Sequence, residues 1–140
     1  MRSLFVSIVL LLVILCTGCL GTIRPTIDVA AITPAVPNGR LQLAALNLVE
    51  QLDQEDYASV YAQFTDAMKQ DMPAEKIKRD WRDVVLTAGS FEKPMKFQTK
   101  SQENFEFITI TAVFSDGILD SEVAFDQSGK IAGLHFYPSK

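Results

Sequence analysis

The sequence predicts an α+β domain, three helices followed by a four-stranded antiparallel sheet. Three observations predict it. Between Leu41 and Ala88, apolar residues recur at intervals of three and four, the helical period. After Gly89 the period falls to two, through four runs rich in Phe, Ile, Thr and Val. The gaps between those runs are a few polar or glycine-containing residues, long enough only to join antiparallel neighbours. Helices first and strands after, without alternation, place the helices together on one face of the sheet.

The chain opens on a leader. Met1-Arg2-Ser3 is followed by Leu4 to Leu15, in which only Ser7 is polar, and then by Cys16-Thr17-Gly18-Cys19. A basic start, an apolar stretch, small residues and a cysteine read as a lipoprotein signal, residues 1–18, cut before Cys19, which then carries the lipid. The Gly18-Cys19 pair fits this pattern, whereas Cys16 stands where a leucine is usual. A second reading of the same residues stays open. Leu4 to Ile23 carries no charge and is flanked by Arg2 and Arg24, and about 20 such residues suffice for an uncleaved transmembrane helix. Both readings tether the protein to the cell membrane with its domain on the extracytoplasmic side.

Residues 19–38 form the next unit, the lipidated cysteine and a tether. Pro25, Pro34 and Pro37 exclude a helix there. The segment is a spacer, or an extended arm lying on the domain. Pro37-Asn38-Gly39 is turn chemistry and opens the domain, residues 39–140.

In the first helix Leu41, Ala45, Leu48 and Leu52 share a face. In the second, Tyr57, Val60, Tyr61, Phe64 and Met68 form one stripe, with Asp53 suited to its N-cap and Glu55 and Asp56 to its first turn. The third opens at Pro73, presents Ile77, Trp81 and Ala88, and ends at Gly89. The strands follow as Lys96–Lys100, Phe105–Phe114, Ile118–Phe125 and Ile131–Tyr137. The second is apolar on both faces, with Ile108 and Ile110 on one and Phe105, Phe107 and Val113 on the other. It is therefore a central strand, and the sheet's second face has room for a cover: the proline-bearing arm, a partner, or a second copy in a homodimer.

Composition narrows the function classes. The net charge is −4, and the densest basic stretch, Lys76, Lys78, Arg79 and Arg82, is interleaved with Glu75, Asp80 and Asp83. That is a solvated helix face, and a nucleic-acid partner is not expected. Both cysteines lie in the leader region, so a cleaved and lipidated domain has neither disulfide nor cysteine metal site. No cofactor motif is present. The one histidine, His135, falls on the last strand, where alternation groups it with Ile131, Gly133 and Tyr137. A single histidine and no free cysteine make a zinc site an unusual expectation.

Several residues together resemble a known family, domain of unknown function 3887. They are Leu52 through Phe64, Met68 with Pro73 and Glu75, Trp81, Gly89-Ser90-Phe91, and the closing Gly129-Lys130-Ile131-Ala132-Gly133-Leu134-His135-Phe136. The resemblance covers roughly residues 45 to 138. It implies the cone-shaped architecture of the nuclear transport factor 2-like, or cystatin-like, superfamily, in which three helices cradle a curved sheet around a pocket. It also implies a domain that stands alone in secreted prokaryotic proteins or precedes a hydrolase domain. With Lys140 ending the chain, standing alone is the expectation. Tyr57, Tyr61, Phe64, Trp81, His135 and Tyr137 are then the candidates to line a pocket. Fold does not fix function. The expected function is a membrane-tethered envelope lipoprotein with a non-catalytic domain that binds a partner protein or a small apolar ligand. The alternative is a small or degenerate enzyme with His135 as general base, paired with Tyr57, Tyr61 or Asp80.

Overall fold

The computed structural model describes residue 35, residue 37 and residues 39–140. The expected leader, Cys19 as the expected lipidation site, and most of the expected tether lie outside the described residues. The elements are α1 (Arg40–Asp53), α2 (Tyr57–Ala62), α3 (Asp66–Asp71), α4 (Ala74–Ala88), β1 (Phe91–Gln102), β2 (Phe105–Phe114), β3 (Gly117–Phe125) and β4 (Ile131–Pro138). The strands form one antiparallel sheet in the order β1-β2-β3-β4. The α+β class and the meander stand as the sequence predicts, with β2 an inner strand.

Among the described residues the helices number four, because the second stripe is divided. Tyr57 to Met68 has a continuous helical period, yet the chain leaves the helix at Gln63. There Ile131 N–H donates to Gln63 O at 2.9 Å and Thr65 N–H donates to Ile131 O at 2.8 Å, a parallel bridge between Phe64 and the start of β4. Those bonds replace the helical ones that the break forfeits. Thr65 then caps α3, its Oγ1 accepting from Met68 N–H at 3.2 Å. Phe64 is fully buried at the break, so one apolar side chain fixes two helices and a strand. The cap of α2 is Asp56, which accepts from Ser59 N–H at 3.2 Å, not Asp53. Asp53 sits in the last turn of α1 and accepts instead from Phe91 N–H at 3.3 Å.

Pro73 is the N-cap of α4 rather than its first residue. Gly89 ends that helix in the left-handed region, at φ +79°. A Cβ there would lie 1.8 Å from Ser115 Oγ in the β2–β3 turn, so both the conformation and the close approach require glycine. The turn is held to the helix end by Asp116 N–H donating to Ala88 O and Ser115 N–H to Ser90 O, each at 2.9 Å.

β1 is longer than the alternating run Lys96–Lys100. It begins at Phe91 and carries two register irregularities, between Phe91 and Lys93 and between Pro94 and Lys96. Bulges and a proline hide a strand from period counting, and an edge strand tolerates both. The outer rim of β1 receives Ala35, whose N–H donates to Pro94 O at 2.8 Å.

The core lies between the helices and the inner face of the sheet. It joins Ala45, Leu48, Val49 and Leu52 of α1, Val60, Phe64 and Met68, and Ile77, Trp81 and Ala88 of α4 to Ile108, Ile110, Ala112, Phe114, Val123, Phe125, Ile131 and Leu134 of the strands. Ser121 is the polar member of this layer. It is fully buried on the inner face of β3 and its hydroxyl has no hydrogen-bond partner.

Candidate functional site

The space between helices and sheet is filled. Trp81, only 3% exposed, projects from α4 onto Phe136 of β4, ring centroids 5.4 Å apart, and onto Phe114 of β2 at 6.1 Å. A buried indole of this kind removes on the order of 200 Å² from solvent. What remains beside it is a void of about 40 Å³ lined by Leu52, Met72, Ile77, Asp80, Trp81, Leu134 and Phe136. Sites for small organic ligands are several-fold larger, roughly 300–1,000 Å³.

The six candidate residues therefore separate. Phe64 and Trp81 are core. Tyr57 and Tyr61 are half-buried on α2 and pack against that core. Tyr57 and an edge of Trp81 also border a polar groove of about 330 Å³ with Asp53, Glu55, Lys78, Arg82, Val85 and Ser90. Burial pushes the Tyr57 phenol pKa up, with the Glu55 carboxylate adding to the shift. Tyr61 lies under the ammonium of Lys69, 5.5 Å from its ring centroid. His135 and Tyr137 are on the opposite side of the sheet, the outer face.

The reason for that last placement is a bulge. Ala124 pairs with Gly133, but the next residue, Phe125, pairs with Ile131, so Ala132 is an extra residue in β4. Ala132 and Gly133 both turn outward, where they border the same hollow, and the phase of the strand reverses across them. Ile131 is buried in the core, whereas His135 is exposed. Simple alternation groups Ile131 with His135, and the bulge undoes that grouping. The sheet lies between His135 and all three of its expected helical partners, Tyr57, Tyr61 and Asp80, so no general-base pair forms inside the core. Among the described residues no cluster of His, Cys, Asp and Glu could hold a metal ion, and no helix is long and apolar enough to cross a membrane.

The outer face is ordered by the strand register. Direct cross-strand partners share a face. One row is Lys100, Phe107, Ala124 and Gly133. The next is Gln98, Thr109, Glu122 and His135. The third is Lys96, Thr111, Asp120 and Tyr137. Thr111 Oγ1 donates to Asp120 Oδ1 at 2.6 Å across the second ladder. Burial raises the pKa of the Tyr137 phenol, the Glu122 carboxylate adding to the shift and a hydrogen bond with Thr109 opposing it. At one end of this face Val113 is buried. At the other, Phe105 remains 38% exposed and, with Phe107, Glu122, Ala124, Ala132, Gly133 and His135, borders a shallow hollow of about 230 Å³. Gly133 makes the floor flat, since a Cβ there would press on that of Ala124 at 3.3 Å.

A mostly antiparallel sheet with helices on one side and a mixed apolar and charged surface on the other is the framework of a small binding domain as readily as of an enzyme. Comparison with known proteins defines its kinship. The chain belongs to the family described as "Protein of unknown function (DUF3887)", whose model matches residues 45–134. It is also similar to Esterase EstD of Thermotoga maritima, with 22% identity over 98 residues. That match covers 70% of this chain but 24% of the esterase, so the chain spans about a quarter of that relative's length. No solved structure matches the chain.

Proposed function

We infer that this chain is a non-catalytic docking domain, tethered by lipidated Cys19 to the extracytoplasmic side of the cell membrane, which binds a protein through the outer face of its sheet. One observation carries the choice of face. The interior between helices and sheet is closed around Trp81, leaving about 40 Å³, while Phe105 and Phe107 stand on the open side beside Ala124 and Gly133. Aromatic side chains on a flat, half-apolar surface suit a protein contact. A small apolar ligand fits less well, because the apolar space is too small for one. The position of His135 on the exposed outer strand, away from Tyr57, Tyr61 and Asp80, also favours binding over catalysis.

The likeness to a stretch of a longer esterase supports the same reading. A domain of this kind serves as an accessory to catalysis housed elsewhere. The leader supports the location, through the apolar run Leu4 to Leu15 and the Gly18-Cys19 pair.

The test is site-specific photo-crosslinking in native membranes. A photoreactive residue at Phe107 is expected to give a discrete protein adduct, and one at Glu75 on exposed α4 none. Absence of any adduct at Phe107 would reject the docking face. Mass spectrometry of the purified protein tests the tether: a diacylglyceryl Cys19 as first residue is expected, and a retained Met1 contradicts it.

A further inference from the structure

We propose that the polar groove between α4 and the α1–α2 turn is a binding site for a free α-amino acid, held by its carboxylate on one wall and its ammonium on the other. The groove lies in the helical layer, apart from the outer face of the sheet, so the proposal stands independently of the docking reading above.

The two walls carry opposite charge. Lys78, Trp81, Arg82 and Val85 recur at helical spacing and share one face of α4. Across the groove are Asp53, in the last turn of α1, and Glu55, in the turn that follows. No ion pair joins the walls. Among the described residues, the ion pairs on α4 are those of Asp80 with Lys76 and with Arg79, and neither Lys78 nor Arg82 takes part. Tyr57 borders the same groove. Burial is the first cause of its raised pKa, and Glu55 raises it further while Arg82 lowers it, so the fields of both walls reach the phenol. Opposite charges held across a gap without touching complement a molecule that brings both charges itself.

The carboxylate wall is positioned by the chain. Asp53 Oδ1 accepts from Phe91 N–H at 3.3 Å, which orients the carboxylate and leaves its second oxygen for a ligand. Glu55 is at φ +60°, in the left-handed region that glycine usually fills where a helix ends. Its backbone is pinned there by Glu55 N–H donating to Leu52 O at 3.0 Å and Asp56 N–H to Gln51 O at 2.8 Å. A side chain in that conformation costs stability that glycine would spare. A glutamate kept at such a position, beside a groove, points to a use for its carboxylate.

Size and charge select the ligand class. The groove holds about 330 Å³, the small end of the roughly 300–1,000 Å³ of organic-ligand sites. A plain anion is repelled by Asp53 and Glu55, and a plain cation by Lys78 and Arg82. A zwitterion meets an opposite charge on each wall. In an α-amino acid the ammonium and carboxylate stand about 3 Å apart, close enough for one small groove to hold both. The Tyr57 ring, the edge of Trp81 and Val85 offer apolar surface to the side chain.

Isothermal titration calorimetry on the full-length chain in a mild detergent tests this, with L-phenylalanine, L-leucine and L-alanine as probes. At least one is expected to bind. Its N-acetyl form, which lacks the ammonium, and its amide, which lacks the carboxylate, are each expected to bind at least about tenfold more weakly, as loss of a charge-assisted contact implies. Arg82→Gln and Glu55→Gly are expected to weaken binding by a similar factor. Glu55→Gly is also expected to melt no lower than wild type, because it relieves the left-handed strain, so its loss of affinity is not unfolding. Glu55→Gln removes the charge and keeps the side-chain length, and serves if the glycine variant is less stable.

Three results would each overturn the proposal: no binding of any of the three amino acids, capped forms that bind as tightly as the zwitterion, or full affinity in both Glu55 variants. Binding of a dipeptide such as Gly-Phe more tightly than of every single amino acid would overturn it as well, since the charges of a dipeptide stand farther apart.

Discussion

The Trp81 indole packs on the Phe136 ring at 5.4 Å, tilted by 59°. That contact closes the space between α4 and β4. It converts what would be a ligand-sized pocket into core, and so moves the functional question to the other side of the sheet. Trp81 is only 3% exposed, with a void of about 40 Å³ on its inner side, and its truncation therefore creates a large cavity. Trp81→Ala is expected to destabilise the protein by about 3–5 kcal/mol, measured by urea unfolding. A loss below about 1 kcal/mol would show that the space collapses or that the indole is not packed there.

Gly89 makes a second test. Its φ of +79° disfavours any side chain, and a Cβ would meet Ser115 Oγ at 1.8 Å. Gly89→Ala is expected to cost at least about 2 kcal/mol, from the left-handed conformation together with displacement of the β2–β3 turn. Thermal melting decides it, and an unchanged midpoint would contradict the close approach.

Ser121 predicts a change in the opposite direction. Its hydroxyl is fully buried and unpartnered in an apolar layer. Removing a buried group that makes no hydrogen bond relieves its desolvation cost. Ser121→Ala is expected to stabilise by about 1 kcal/mol in urea unfolding. A clear loss of stability would mean that the hydroxyl is satisfied.

Acid sensitivity follows from two carboxylates. Hydrogen bonding holds Asp126 below its usual carboxylate pKa, first through the Ser128 hydroxyl and then through Lys130 N–H. Ser59 does the same for Asp56 at the cap of α2. Both pKa values are depressed in the folded state. The stability they contribute is therefore complete above the ordinary carboxylate pKa of about 4, and it is lost as pH falls through the lower folded values. Urea unfolding between pH 6 and 2.5 should show wild type losing more stability on acidification than Asp126→Asn. Parallel pH profiles would remove Asp126 from this role.

The limits of sequence reading are visible at particular residues. β2 and β3 lie at the positions that alternation assigns because they are uninterrupted inner strands. In them side-chain period and burial coincide: Ile108 and Ile110 face the helices while Phe107 and Thr109 face away. β1 is longer than its pattern because two bulges break the period. The stripe from Tyr57 to Met68 is continuous, yet the helix divides at Phe64, because a strand 67 residues downstream supplies the backbone bonds that let it stop.

The candidate residues were legible as a set but not as a site. Periodicity marks Tyr57, Tyr61 and Phe64 as one helical face and Trp81 as part of another, and Phe64 and Trp81 are core. It also groups His135 with Ile131, and the extra residue Ala132 places them on opposite sides. A bulge of one residue leaves no reliable trace in composition.

The sequence alone determined the α+β class, the order of helices before strands, the antiparallel meander and the helix stop at Gly89. These depend on local period, turn residues and short connections, which act within a few residues of one another. Only the tertiary structure decided that the interior is closed by Trp81 on Phe136, that His135 points outward, and that lysines and carboxylates stand in separate columns on one face. Those outcomes depend on register between strands distant in sequence, and register is settled by packing rather than by any neighbouring residue.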